Sequence, residues 1–161
     1  MEEQVTIVDA ANRVVGSAPR SRMRREGLPH RATYVFVFDG EGRLYVQHRT
    51  VTKDVYPGYW DLAAGGVVLA GESYEESAVR ELAEEMGISG VPLEPWFDFY
   101  FEDGASKVWG RVWSCVYEGP LVLQQEEVQG VERMPVEDIL DGSVSRQFTP
   151  DSLLALRKRF R

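Results

Sequence analysis

Residues 66–88 read GVVLAGESYEESAVRELAEEMGI, and positions 81–85 within them hold three glutamates. Ser73 followed by Glu76 is a capping box, in which a hydroxyl and a carboxylate each satisfy the other's backbone N–H, so a helix begins just after Ser73. Glu75 lies in its first turn, where the helix dipole favours an anion. Gly87 supplies the left-handed residue on which such helices end. At about 100° per residue, Val79, Leu82, Ala83 and Met86 share one flank, expected to bury against a sheet, and Glu81, Glu84 and Glu85 fall on an arc of roughly 100° on the other side. Like charges at this spacing repel by a few tenths of a kcal/mol per pair, and the dipole disfavours anions so late in a helix. Arg80, one turn before Glu84, neutralises part of the repulsion. A hard divalent cation does more, because Mg²⁺ takes oxygen ligands from one or two carboxylates and keeps positions for water and substrate phosphates. The plain alternative is a solvated acidic face, and the surrounding sequence decides between the two.

Upstream, ATYVFVFDGEGRLYVQHRT (32–50) carries two apolar strands around Asp39-Gly40-Glu41-Gly42, whose glycines permit a hairpin turn. Tyr34, Phe36 and Phe38 alternate with Val35 and Val37, so the first strand is apolar on both faces and belongs in the middle of a sheet. Before it, QVTIVDAANRVVGSAPR (4–20) reads as two short strands around DAAN, followed by a basic helix at RSRMRREG (20–27). A loop with Pro57 and Gly58 leads into WDLAAGGVV (60–68). Downstream come strands in EPWFDFYFE (94–102) and SKVWGRVWSCVYEG (106–119), then VERMP (131–135), a short helix at VEDILDG (136–142) and an amphipathic helix in TPDSLLALRKRFR (149–161). The order lacks a regular βαβ alternation, which predicts an α/β fold with a mixed sheet and helices on its faces. At 161 residues, with no linker or repeat, the chain is expected to be one domain, 1–161, with residues 1–29 as an N-terminal strand extension.

The net charge of −8 argues against stable nucleic-acid binding, which needs basic stripes, so an anionic substrate must meet local positive charge. No apolar run approaches membrane-spanning length, and the start MEEQVTIVDA is acidic where an export signal is basic and then apolar. The expectation is a soluble, cytoplasmic protein. Cys115 is the single cysteine, which excludes an internal disulfide and fits a small buried hydrophobe in a strand.

The positions Gly66, Glu72, Arg80, Glu81, Leu82, Glu84, Glu85, Gly87 and Ile88 fit G-x5-E-x7-R-E-U-x-E-E-x-G-U, with U a bulky aliphatic residue, without mismatch. This resembles the signature of the Nudix hydrolases. Nine constrained positions over 23 residues are far more specific than a lone glycine motif. The strands before the box, the loop TKDVYPGYWDLAAGG (52–66) and the segment QQEEVQGVERMPVEDI (124–139) are also similar to the family's α/β/α sandwich. The resemblance implies a pyrophosphohydrolase of the pyrophosphatase type, cleaving a diphosphate joined to another group X, such as a nucleotide derivative, with water attacking phosphorus. It implies Mg²⁺, or Mn²⁺ in its place, held by Glu81, Glu84, Glu85 and the carbonyl of Gly66. Arg80 and Glu72 would orient and brace the glutamates, and Glu126 or Glu127 stands where family members bring in a further glutamate. The base that takes the water's proton is expected to be Glu84 or Glu127.

Grip on the substrate should come from outside the box. Arg49 and Lys53 are cations close to it in sequence and able to hold phosphate oxygens, against the plainer reading of ordinary surface charge. Trp109, Arg111 and Trp113 alternate on one strand face and could stack a ring, although packing against a helix or a second subunit suits them better, and a homodimer is an open expectation. His48 reads as a surface residue. The chain is also similar to isopentenyl-diphosphate isomerase in its N-terminal half. That enzyme uses a cysteine and a histidine-held metal, and here WDLAAGGVV has neither, leaving only His30 to match one ligand. A third reading keeps the fold as a catalytically silent binding module, which loss of box glutamates would signal, yet all are present.

Overall fold

The computed structural model describes residues 2–161. At its centre is β3 (His30–Phe38), paired in parallel with β7 (Lys107–Val116) from His30 opposite Val108 to Phe38 opposite Val116. The strand has the two-faced apolar pattern of a central strand, and the structure uses both faces. Tyr34 and Phe36 face a core with Leu62, Val112 and Leu156, whereas Val35 and Val37 face one with Ala78, Leu82, Met86 and Trp113. One core packs under α4 (Pro150–Phe160) and α3 (Val136–Leu140), the other under α2 (Tyr74–Met86). The result is the expected α/β/α sandwich on an eight-stranded mixed sheet.

β6 (Glu94–Glu102) lies antiparallel outside β7, and β1 (Gln4–Val8) with β2 (Val14–Pro19) forms the N-terminal hairpin. β4 (Arg43–Arg49) leaves β3 after a single register pair, Phe38 opposite Leu44, and pairs instead with β8 (Val128–Pro135) and the two-residue β5 (Trp60–Asp61). This divergence positions the site. The space between the strands admits residues 62–69, which run along β3 through Val35 opposite Ala64 and Ala32 opposite Val67, and bond to β1 through Thr6 N–H to the Val68 carbonyl. α1 (Arg20–Glu26) anchors beside them through Met23, buried with Val5 and Val67.

The start and end of α2 follow the sequence expectation, but its buried face does not. Glu76 N–H donates to Ser73 Oγ at 3.0 Å and Ser73 N–H to Glu76 Oε1 at 2.9 Å, and Gly87 closes the helix at φ 70°. The buried side chains are Tyr74, Ser77, Ala78, Leu82, Glu85 and Met86, whereas Val79 is 55% exposed and Ala83 is exposed as well. Weighing only apolar residues displaced the expected stripe toward Val79. The helix rests on the small Ser77 and Ala78, and its contact face carries Glu85 inward. The glutamate arc therefore runs from the helix–sheet interface out to solvent instead of lying opposite the core.

Candidate active site

Glu85, on the last turn of α2, is buried, and its Oε1 accepts from Gln47 Nε2 on β4 at 3.3 Å and from Gly65 N–H at 3.4 Å. Burial, and after it the charge of Glu81, pushes its carboxyl well above the usual carboxylate range. Glu81, one turn earlier, lies within hydrogen-bond reach of Glu85 and is pushed up as well, first by burial, against the pull of Arg80. Two carboxyl groups pressed together in a dry place lose stability unless a proton or a cation joins them. The second possibility has support from Gln47 Oε1, a buried acceptor with no protein donor.

The backbone opposite is shaped to these carboxylates. A Cβ at Gly66 would lie 2.8 Å from the Glu81 carboxyl carbon, and one at Gly65 would meet the Thr33 carbonyl oxygen at 1.9 Å. The Gly66 carbonyl accepts from Thr33 N–H at 3.0 Å and, at longer range, from Thr33 Oγ1 at 3.4 Å. Arg80 binds Glu72 with two nitrogens, Nε to Oε2 at 2.6 Å and Nη2 to Oε1 at 3.0 Å, while Nη1 reaches Glu81 at 2.8 Å and Glu84 at 3.2 Å. Glu72 Oε1 also accepts from Leu69 N–H at 3.0 Å, tying the loop to the helix. Gly87 could carry no side chain, because a Cβ there would lie 2.8 Å from that of Val122.

The structure thus brings together Gly66, Glu72, Arg80, Glu81 and Glu85. Glu84 stands apart: its side chain is 48% exposed and turned to Arg80. Among the described residues, no three His, Cys, Asp or Glu side chains are gathered closely enough to hold an ion as they stand. Glu127 is close enough for its charge to raise both Glu81 and Glu85, and it pairs with Lys53 Nζ at 3.3 Å. Glu126 is exposed and meets this region only through its carbonyl, which accepts from Thr50 Oγ1.

Beside the glutamates opens a cleft that reaches from Gly65 and Gly66 to α1. Arg49 and Lys53 both line it, as their place in the sequence suggested, and both already have partners. Arg49 Nη1 binds Asp61 Oδ2 at 2.6 Å and Nη2 the Val55 carbonyl at 2.8 Å, while its buried Nε has no acceptor. Asp61 and Asp151 on the cleft wall went unnoticed in the sequence. Tyr34 OH donates to Asp151 Oδ2 at 2.7 Å, and burial, helped by Asp61, pushes the Asp151 carboxyl up to about 6. Arg20 and Arg24 of α1 were missed too, although their spacing of one turn was visible in RSRMRREG.

The remaining candidates lie elsewhere. Trp113 packs under α2, Arg111 pairs with Asp98 at 2.7 Å over the Tyr74 ring, and Trp109 rests on Tyr100. Trp113 and Arg111 therefore pack on α2, whereas Trp109 packs on β6, and none of the three lines the cleft. His48 is half-buried and stacked on Trp60 with centroids 4.2 Å apart, so it is not a free surface residue. His30 does line the cleft, with Nδ1 3.0 Å from the Leu28 carbonyl and burial holding its pKa down to about 4. Cys115 is buried in the α2 core, away from the cleft, and burial pushes its thiol up to about 11. Among the described residues, no helix is long and apolar enough to cross a membrane.

Residues 28–152 match the NUDIX domain family. A Nudix hydrolase of Yersinia pestis is 50% identical over 154 residues, spanning 96% of this chain and 84% of that protein. The Nudix hydrolase YfcD of Escherichia coli strain K12 is likewise 50% identical over 154 residues, with the same coverage of 96% and 84%. Among solved structures, DR0079 of Deinococcus radiodurans superimposes with a TM-score of 0.85 at 24% identity, covering 99% of this chain and all of that one, a likeness of fold. With an uninterrupted box folded around a glycine cradle, and relatives alike over nearly its whole length, the chain belongs to the Nudix hydrolase family, whose members are pyrophosphohydrolases.

Proposed function

We propose that this protein is a divalent-metal-dependent hydrolase of small organic diphosphates, nucleotide derivatives among them, working in the cytoplasm on one folded unit. The observation that carries this reading is the buried Glu81–Glu85 pair facing the Gly65–Gly66 backbone, beside an unpartnered Gln47 oxygen and at the edge of a cleft lined by cations. Hard oxygen donors of this kind suit Mg²⁺, with Mn²⁺ as a substitute, better than softer metals. Glu81 and Glu85, with the Gly66 carbonyl, would hold the metal, and Glu84 would complete the set by turning from Arg80. When bound, the metal lowers the pKa of a water and offsets charge on phosphoryl oxygens.

The rest is the work of the chain. Arg80, clamped by Glu72, holds Glu81 in place and offsets the helix's own repulsion. Arg49 and Lys53 orient the diphosphate from the cleft wall. Glu127 or Glu84 takes the proton as the water's oxygen bonds to phosphorus, and the bond from phosphorus to the bridging oxygen breaks with its electrons leaving on the departing phosphate. Lys53, 3.3 Å from Glu127, holds that carboxylate in place at the edge of the site.

Phosphate and diphosphate release from a panel of nucleoside diphosphates, triphosphates, nucleotide sugars, dinucleotides and isopentenyl diphosphate tests the reading, with Mg²⁺, with Mn²⁺ and with EDTA. Turnover should require metal, and Glu85→Gln should reduce it by orders of magnitude with the circular dichroism unchanged. Hydrolysis that persists in EDTA, or in the Gln variant, would sink the proposal.

A further inference from the structure

The cleft carries a second pair of cations, on α1. Arg20 and Arg24 project into it from α1, one helical turn apart, where like charges work against the helix as the glutamates do in α2. Three observations say that this pair is built to meet an anion. Both are half-buried, at 30% and 21% side-chain exposure, and burial, together with Arg20 and Arg49, pulls the Arg24 guanidinium below its ordinary value.

Second, their protein partners satisfy them poorly. Asp54 reaches Arg20 Nε at 3.4 Å and Arg24 Nε at 3.3 Å, Glu3 reaches Arg20 Nη1 at 3.5 Å, and Ser106 Oγ lies 3.4 Å from Arg24 Nη1. Well-made charge-assisted bonds run at about 2.7–2.9 Å. Elsewhere in this chain Arg49–Asp61 and Arg80–Glu72 both close to 2.6 Å, so the fold can make short pairs and does not make them here. Third, Asp54 approaches from outside. It borders only the surface depressions beside α1, whereas the two arginines line those depressions and the cleft wall as well.

We propose that Arg20 and Arg24 bind a second anionic group, a phosphomonoester, carried by the group X of the substrate. The inference rests on the diphosphate reading above, which puts the scissile end at Gly66 and leaves X to extend along the cleft. The preferred substrate is then a diphosphate whose far end bears its own phosphate, and the N-terminal helix is its specificity element. Arg49 and Lys53 do not substitute for the pair, since the diphosphate reading already assigns them to the scissile end.

The experiment compares compounds that differ by one phosphate on X: NADP⁺ against NAD⁺, and coenzyme A against its 3′-dephospho form. Binding is measured by calorimetry in EDTA, where no turnover occurs, and kcat/KM is then measured with Mg²⁺. The wild type should bind the phosphorylated member of at least one pair tenfold or more tightly. Arg24→Gln should cut that ratio at least fivefold. Asp54→Asn, which removes the competing carboxylate, should raise it severalfold, a gain that misfolding cannot imitate. Equal binding within both pairs, no binding by any member, or a ratio that neither variant moves overturns the inference. A clear phosphate preference with no metal-dependent hydrolysis leaves the inference standing and removes the hydrolase reading instead.

Discussion

Gly66 has its side chain forbidden by a neighbour's charge. A methyl group there would press on the Glu81 carboxylate at 2.8 Å, and Arg80 limits where that carboxylate can go. Gly66→Ala should therefore leave the fold in place and weaken Mn²⁺ binding about tenfold or more, the scale on which displaced ligand supports act. Calorimetric titration reads this directly, and unchanged affinity would separate Gly66 from the metal. Asp151 offers a test by pH. Its acid form is favoured in the fold, with a pKa of about 6, so the native state holds a proton that the unfolded chain releases nearer pH 4, and stability from this group falls as pH rises between the two. His30 acts the other way: held down to about 4, it stays neutral while the unfolded chain protonates below about 6.5, so its contribution is lost as pH falls. Asp151→Asn should unmask the His30 slope. Relative to wild type, the variant should gain about 2–3 kcal/mol between pH 4 and pH 7 in urea unfolding, at about 1.4 kcal/mol per pKa unit. The box glutamates could be read from sequence because their spacing is local. Asp61 and Asp151 could not, because their meeting depends on β5 and α4 reaching the same wall.

At the scale of elements, α2 shows which signals travel well from sequence. Its cap was legible because both partners lie within four residues. Ser73→Ala removes an acceptor and should cost about 1 kcal/mol, lowering the melting temperature by about 3 °C with the start of α2 frayed in amide exchange. An unchanged melting curve would mean that packing alone holds the first turn. The buried face was misjudged for an equally physical reason: hydrophobicity marks core positions only where the core is dry and inert, and this face carries Glu85 into the protein. The central strand, by contrast, was plain, because apolar residues on both faces have one place to go. The divergence of β3 from β4 left no such mark. A hairpin turn predicts pairing, and nothing local tells that it ends after Phe38 and Leu44.

For the whole molecule, the mixed sheet with helices on both faces was legible, whereas the cleft between the N-terminal helix and the box was not, since it joins segments distant in the chain. One feature of that sheet also bears on how the protein is made. The central strand takes its parallel partner from residues 107–116, and the adjoining hairpin partner leaves it almost at once. During synthesis, Tyr34 to Phe38 must therefore leave the ribosome and wait, with the apolar face of Tyr34 and Phe36 and the edge meant for β7 uncovered, while most of the remaining chain is translated. Pairing over such a separation is slow to form and open to wrong partners meanwhile. A chain stopped at Ala105 should accordingly be captured by trigger-factor-type chaperones or aggregate, and adding residues through Val116 should release it. Release without that segment would show that the strand finds shelter sooner. Until its late partner arrives, this protein is a client before it is an enzyme.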